Sequence, residues 1–189
     1  MNPSELFELI KSRRAVFPAQ YSGETIPQAE LDQIFEAANW APNHKRTEPW
    51  RFKLVQGRAK QRFAEFMLKK YMDNTSADVQ SERKKMDILD KCNLSDTIVL
   101  IQMKTSGLLP EWEELAATAM AVQNMWLMCT ALGIGSYWSS PSTITQMDEF
   151  MPMDENEKCI GIFYMGKLKN SLPEGNRKPM ADKIQILEN

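Results

Sequence analysis

The sequence predicts an α+β domain, and three observations predict it. The apolar periodicities run helix, helix, strand, helix, helix, strand, long helix, strand, strand, without the βαβ alternation of a doubly wound parallel sheet. No GxGxxG follows a strand and no GxxxxGKS/T occurs anywhere. The 189 residues contain no linker, repeat or low-complexity tract, so 1–189 is read as a single domain, long enough to bury a core.

The elements follow in order. "PSELFELIKSRR" is an amphipathic helix with Leu6, Leu9 and Ile10 on its apolar face. "PQAELDQIFEAANWA" is a second, opened by Pro27 and carrying Leu31, Ile34, Phe35 and Ala38 at helical spacing. "RFKLV" (51–55) reads as a strand and "RAKQRFAEFMLKKYM" as a helix. Residues 73–93 are charged and irregular in pattern, a helix-and-loop excursion over a site or the surface. "TIVLIQM" (97–103) is a buried strand, and "LLPEW" turns into the long helix. "IGSYW" (134–138) and "CIGIFYMG" (159–166) are two more strands, with a short helix near "ITQMDEFM" between them. A polar loop with a short apolar ending completes the chain.

The long helix, "LAATAMAVQNMWLMCTALG" (115–133), is apolar nearly all round. A membrane span needs ~20 predominantly apolar residues, whereas Thr118, Gln123, Asn124 and Thr130 interrupt this run and Glu113 and Glu114 precede it. It is therefore read as a central helix of a soluble protein, stopped by Gly133 as a left-handed C′ residue. A small domain cannot cover every face of such a helix, whereas a second copy of the chain can, so a homodimer is expected. Its methionines and tryptophan read as packing.

Charge excludes some functions. With 23 basic and 25 acidic residues, a net charge of −2 argues against a nucleic-acid binder that works through bulk charge. Cys92, Cys129 and Cys159 are scattered and odd in number, so neither a disulfide framework nor a metal knuckle is visible, and a cytoplasmic setting is expected. "MNPSELFELIKSRR" has no secretory signal pattern.

His44, in "WAPNHKRTEPWRF", is the only histidine. No GxSxG elbow accompanies it as a hydrolase partner, and a zinc site needs three or four ligands. The neighbouring cations Lys45 and Arg46 disfavour protonating the ring, which suits a neutral donor–acceptor or an ordinary surface histidine. Arg13 continues the apolar face of the first helix, and a guanidinium aimed inward needs an anion. Arg14 reads more simply as a complement to the helix C-terminal dipole. Arg177 and Lys178 in "EGNRKP" read equally as a solvated pair. Yet the early arginines, the His–Lys–Arg cluster and this late pair can together surround one phosphate.

"SRRAVF", "WAPNHKRTEPWRFKLV", "GIGSYWSS" and "RKPMADKI", in that order, resemble the nitroreductase family of flavin-dependent oxidoreductases over about residues 4–183, and most closely its small single-domain members. The resemblance implies a central, mainly antiparallel sheet flanked by helices, in a homodimer with exchanged termini. It implies FMN at the dimer interface, with the FMN phosphate and ribityl chain on Arg13, Arg14 and Ala15. Asn43, His44 and Lys45 would reach the flavin, with Lys45 stabilising charge on the reduced ring, and at the interface these groups and the arginines can serve the neighbouring subunit's cofactor. Trp138, Ser139 and Ser140 would run beside the ring, and Arg177 and Lys178 would neighbour the phosphate. Trp138 also has a plain reading as a core strand tryptophan. Three positions depart from the family pattern: Ala15 for a common serine, Trp40 for a common arginine, and Glu48 in "TEPW".

The function implied is transfer of hydride from NADH or NADPH through FMN to nitro, quinone or related electron-poor acceptors by a ping-pong mechanism. No residue is assigned as a catalytic acid or base, because the cofactor supplies the chemistry. The expected partners are a second copy of the chain and a small-molecule acceptor, with no nucleic acid, membrane or metal. The alternatives are a specialised flavin enzyme of the same fold (a dehalogenase or flavin-modifying enzyme), a flavin-storage protein, and a non-flavin structural dimer.

Overall fold

Asn2 opens the first helix with a reciprocal cap: its side chain accepts from the Glu5 backbone N–H at 2.9 Å, and the Glu5 carboxylate accepts from the Asn2 backbone N–H at 2.9 Å. The computed structural model describes residues 2–187. The helices are α1 (Pro3–Ser12), α2 (Gln28–Asn39), α3 (Arg58–Asp73), α4 (Glu82–Leu94) and α5 (Glu111–Ala131). The strands are β1 (Trp50–Val55), β2 (Thr97–Lys104), β3 (Ile134–Ser139) and β4 (Glu157–Lys167). Their order along the chain is the one the periodicity predicts.

The strands form one antiparallel sheet in the order β1-β2-β4-β3. β2 lies between two neighbours, with Val99 opposite Leu54 on one side and Phe163 on the other. Its apolar stretch at 98–101 and its continuous burial have a simple cause: both faces of the sheet are covered, so no alternation survives. On one face Val99, Ile101, Phe163 and Met165 pack with Leu31 and Ile34 of α2 and with Ala121, Val122 and Met125 of α5. On the other, Ile98, Leu100, Ile162 and Tyr164 pack with Phe63 and Met67 of α3, Cys92 of α4 and Met147. Met147 lies in a 3-10 turn, Ser142–Glu149, where a short helix was expected.

Three details refine the sequence reading. Pro27 is the residue before α2, not its first member. The 73–93 excursion resolves into a loop and the whole of α4, whose Ser81 cap accepts from the Lys84 N–H at 3.4 Å. Gly133 follows α5 with φ 67°, the left-handed residue expected there.

α5 is not covered all round. Ala117, Ala121, Val122, Met125 and Cys129 face the sheet, whereas Trp112, Leu115 and Met120 remain exposed. Every residue of α1 lacks full burial, and its Leu6, Phe7 and Ile10 are exposed. The chain end adds Met180, Ile184, Ile186 and Leu187, all largely exposed. No helix among the described residues is long and apolar enough to cross a membrane.

Candidate functional site

At the C-terminal end of α1 the chain leaves the helix in an extended conformation, with Arg13 at φ −58°, ψ 128°. The Arg13 guanidinium carbon then lies 4.5 Å from the centre of the Trp126 ring on α5, a cation–π contact. The indole N–H of Trp126 donates to the Arg14 carbonyl at 2.9 Å, and the ring meets Phe163 of β4 edge-on at 5.5 Å. One side chain of α5 therefore sets the position of both arginines. The next residues are strapped to the sheet: Val16 N–H donates to Ser136 O at 3.0 Å, and the Tyr21 hydroxyl donates to Val16 O at 2.8 Å.

The two arginines divide their work as the helix geometry suggests. Arg14 folds back, its Nη1 donating to the carbonyls of Lys11 and Arg13, so it does complement the end of α1. Its Nε is buried and donates to nothing in the protein. Arg13 turns inward onto Trp126. Burial first, and then the charges of Arg177 and Arg14, hold its pKa below the usual arginine value. The tail crosses directly over Arg14: a Cβ at Gly175 would meet the guanidinium group, so a larger residue there would push the Arg14 side chain aside. Arg177 comes into the field of Arg13 by this route. Lys178 is not among the charges that act on Arg13, and its carbonyl accepts from Lys183 Nζ at 2.9 Å. Among the described residues no ion pair involves any arginine. Three like charges act on one another with, among the described residues, no carboxylate within 4.0 Å of any of them, and Glu8 and Glu174 line the same cavity as Arg14.

The second group lies at the opposite end of α5. In the loop before β1, Asn43 accepts from the Glu48 N–H at 3.2 Å, and Lys45, Arg46 and Glu48 have φ of 53°, 55° and 42°. Left-handed backbone costs a non-glycine residue roughly 1–2 kcal/mol, and strain of this kind concentrates at functional loops. His44 Nδ1 stands 2.8 Å from Glu113 Oε2. An ionised carboxylate only accepts, so Nδ1 carries the proton and Nε2 is left toward solvent. Lys45 Nζ reaches the Leu108 carbonyl at 3.4 Å.

The His–Lys loop and the arginines do not surround one phosphate within a single chain. Their anchors, Glu113 and Trp126, sit about 20 Å apart along α5 at a helical rise of about 1.5 Å per residue. The rigid helix between them is the reason. The sequence shows both clusters but not the length that separates them.

Trp138, on β3, lies flat across Gly161 of β4, where any side chain would run into the indole, and it packs against the α2–α5 core. That is its plain structural reading. Ser139 and Ser140 follow at the end of the strand, increasingly exposed. Ala15 is exposed beside the arginines. Of the other departures, Trp40 is exposed, its indole N–H donating to Glu36 Oε1 at 2.8 Å. The Glu48 side chain is exposed and, among the described residues, forms no ion pair.

Sequence reasoning missed Trp126 and Glu113. On a helix apolar all round no pattern singles out Trp126, and Glu113 sits among Glu111 and Glu114, which read together as favourable charge on the helix N-terminus.

The profile of the Nitroreductase family matches residues 10–167, and the chain belongs to that family. YfhC of Bacillus subtilis, provisionally named an NAD(P)H nitroreductase, is 26% identical over 188 residues, 96% of this chain and 93% of its own. A nitroreductase-like family protein from Bacillus cereus superposes with a TM-score of 0.84 at 22% identity, covering 100% of this chain and 99% of its own. The FMN-dependent nitroreductase NfnB from Mycobacterium smegmatis, solved in complex with NADPH, superposes with a TM-score of 0.76 at 17% identity, over 99% and 100% of the two chains.

Proposed function

We propose that this protein is an FMN-dependent oxidoreductase that takes hydride from NADH or NADPH and reduces nitro, quinone or related electron-poor acceptors as a homodimer, by a ping-pong mechanism. The observation that supports it best is the convergence of Arg13, Arg14 and Arg177 without a carboxylate partner among the described residues. Such a cluster suits a phosphate monoester, which provides several acceptor oxygens and a charge near −2. The buried, unpartnered Nε of Arg14 is a donor in want of an acceptor. The residues therefore fit the phosphate end of FMN.

FMN, when bound, accepts hydride from the nicotinamide and delivers reducing equivalents to the second substrate in the same open space. The protein's part is to hold and orient. Arg13 and Arg177 would fix the phosphate, and Trp126 keeps Arg13 from turning outward. Ser139 and Ser140 would border the ring. Asn43, His44 and Lys45 would be supplied to the flavin of the neighbouring subunit, which removes the difficulty of the separation along α5. Lys45 would oppose negative charge on the reduced ring.

The homodimer rests on uncovered apolar surface. Leu6, Phe7 and Ile10 of α1, Trp112, Leu115 and Met120 of α5 and the apolar end of the tail are exposed within one chain. A second copy burying those faces, with tails exchanged, accounts for all three.

Purified protein should be yellow, and anaerobic mixing with NADH or NADPH should bleach its flavin. A flavin that stays oxidised with both donors would refute hydride transfer from them. A protein that takes up no FMN would refute the cofactor assignment itself.

A further inference from the structure

On the sheet face opposite α5, a cavity of about 310 Å³ lies between α3, α4 and the end of β3. This is at the small end of ligand pockets, which run ~300–1,000 Å³. Its apolar walls are Met67, Ile88 and Pro141, and Ser139 forms part of its rim. Ser139 is the strand residue expected beside the flavin ring, so the cavity begins where the proposed cofactor site ends.

Three lysines line it: Lys70, Lys84 and Lys91. Lys70 is matched, its ammonium bonded to Glu149. The other two are not. Lys84 and Lys91 stand two turns apart on one face of α4, and among the described residues no carboxylate lies within 4.0 Å of either ammonium. Lys91 is half-buried and lies 6.0 Å over the Tyr137 ring. Burial first, then Lys84, lowers its pKa, while Asp87 acts weakly the other way. Lys84 is exposed, whereas the Lys91 ammonium is half-desolvated, and the Tyr137 ring and the more distant Asp87 offset only part of that cost.

We infer that this cavity is the acceptor pocket, and that Lys84 and Lys91 select acceptors bearing a carboxylate or another small anion on an aromatic or similarly flat body. The inference rests on the oxidoreductase reading and narrows its substrate class. Met67, Ile88 and Pro141 pack the flat body, and Ser139 lies at the end nearest the flavin strand. Lys91 and Lys84, on the α4 wall, receive the anion. A neutral acceptor of the same shape fills the cavity but leaves the half-buried Lys91 ammonium without an anion. Discrimination therefore comes from groups that would otherwise stay unpaired, which is how sites achieve large selectivity.

The test pairs an anion with its neutral isostere, in binding and in turnover. Benzoate and benzamide, neither of which can be reduced at a nitro group, are titrated into FMN-loaded protein by calorimetry. 4-Nitrobenzoate and 4-nitrobenzamide are compared by kcat/KM with one nicotinamide donor. The wild type should favour the anion in both assays. Lys91→Met and Lys84→Met should each lower the anion-to-neutral ratio about tenfold, as loss of a close charge pair does, and Lys91→Arg should restore most of it. Lys69→Met, on the outer side of α3 beside Asp73, controls for net charge and should leave the ratio unchanged. If both ratios survive Lys91→Met and Lys84→Met, the selectivity assignment is overturned. If benzoate binding depends on the lysines but neither nitro compound is reduced, the pocket stands and the oxidoreductase reading falls.

Discussion

The two ends of α5 present opposite kinds of site. At its C-terminal half, Trp126 holds Arg13 half-buried in the field of Arg14 and Arg177, all within one chain. At its N-terminus, Glu113 holds His44 in an exposed loop whose backbone is left-handed at three non-glycine residues. The first end is rigid, and its arginines form no ion pair among the described residues. The second is strained, wet and already paired. On the proposed reading, the difference separates a fixed charge that would bind the FMN phosphate from a paired histidine in a strained loop that would be offered to the neighbouring subunit.

Removing Trp126 should have the largest effect, because it acts on packing and on charge together. Trp126→Ala should cost about 3 kcal/mol of stability, measured by urea unfolding, and should also weaken FMN binding by releasing Arg13. Normal FMN affinity in a folded Trp126→Ala protein would show that the indole packs without positioning. Arg13→Ala should weaken FMN by about 30-fold, equivalent to about 2 kcal/mol for one lost charge-assisted contact, with little change in unfolding midpoint. Unchanged flavin content after gel filtration would remove Arg13 from the phosphate site.

Alkaline pH separates the core from both ends. Burial raises the thiols of Cys92 and Cys129 to about 12 and of Cys159 to about 11, from an ordinary 9.0. Because these folded values lie above the unfolded one, the stability they represent is fully present below pH about 9 and is lost as pH rises through about 11–12. Unfolding midpoints should therefore fall above pH 9, and Cys92→Ser should flatten that decline without abolishing it. In the native state at pH 8 a thiol reagent should label none of the three quickly.

The strained end should respond least. His44→Ala should change chain stability by about 0.5 kcal/mol or less, since its partner contact is solvent-exposed, while reducing FMN affinity only in the dimer. Glu48→Gly should stabilise by about 0.5–1 kcal/mol by relieving a left-handed residue. A loss of stability there would mean that the Glu48 side chain has a partner.

Most of the fold was legible in the sequence because periodicity reports burial directly. The apolar stretch of β2 showed a strand covered on both faces, and the apolar surround of α5 showed a helix that one chain cannot cover. The arginines were legible because Arg13 falls on the apolar side of α1. What stayed hidden depends on distance across the fold. The roles of Trp126 and Glu113 follow from which face of α5 meets which loop. The left-handed turns at Lys45, Arg46 and Glu48 carry no glycine or asparagine to announce them. The unmatched lysines of α4 lie in the charged, irregular stretch 73–93, whose pattern does not show the cavity beneath them.

The central claim is that three guanidinium groups, gathered at one end of α5, grip a phosphate. Its most direct test compares FMN with riboflavin, which has the same ring and ribityl chain but no phosphate, by fluorescence titration of apoprotein. FMN should bind at least about 100-fold tighter, and Arg13→Ala should shrink that gap while leaving riboflavin affinity nearly unchanged. Equal affinities for the two flavins would contradict the account.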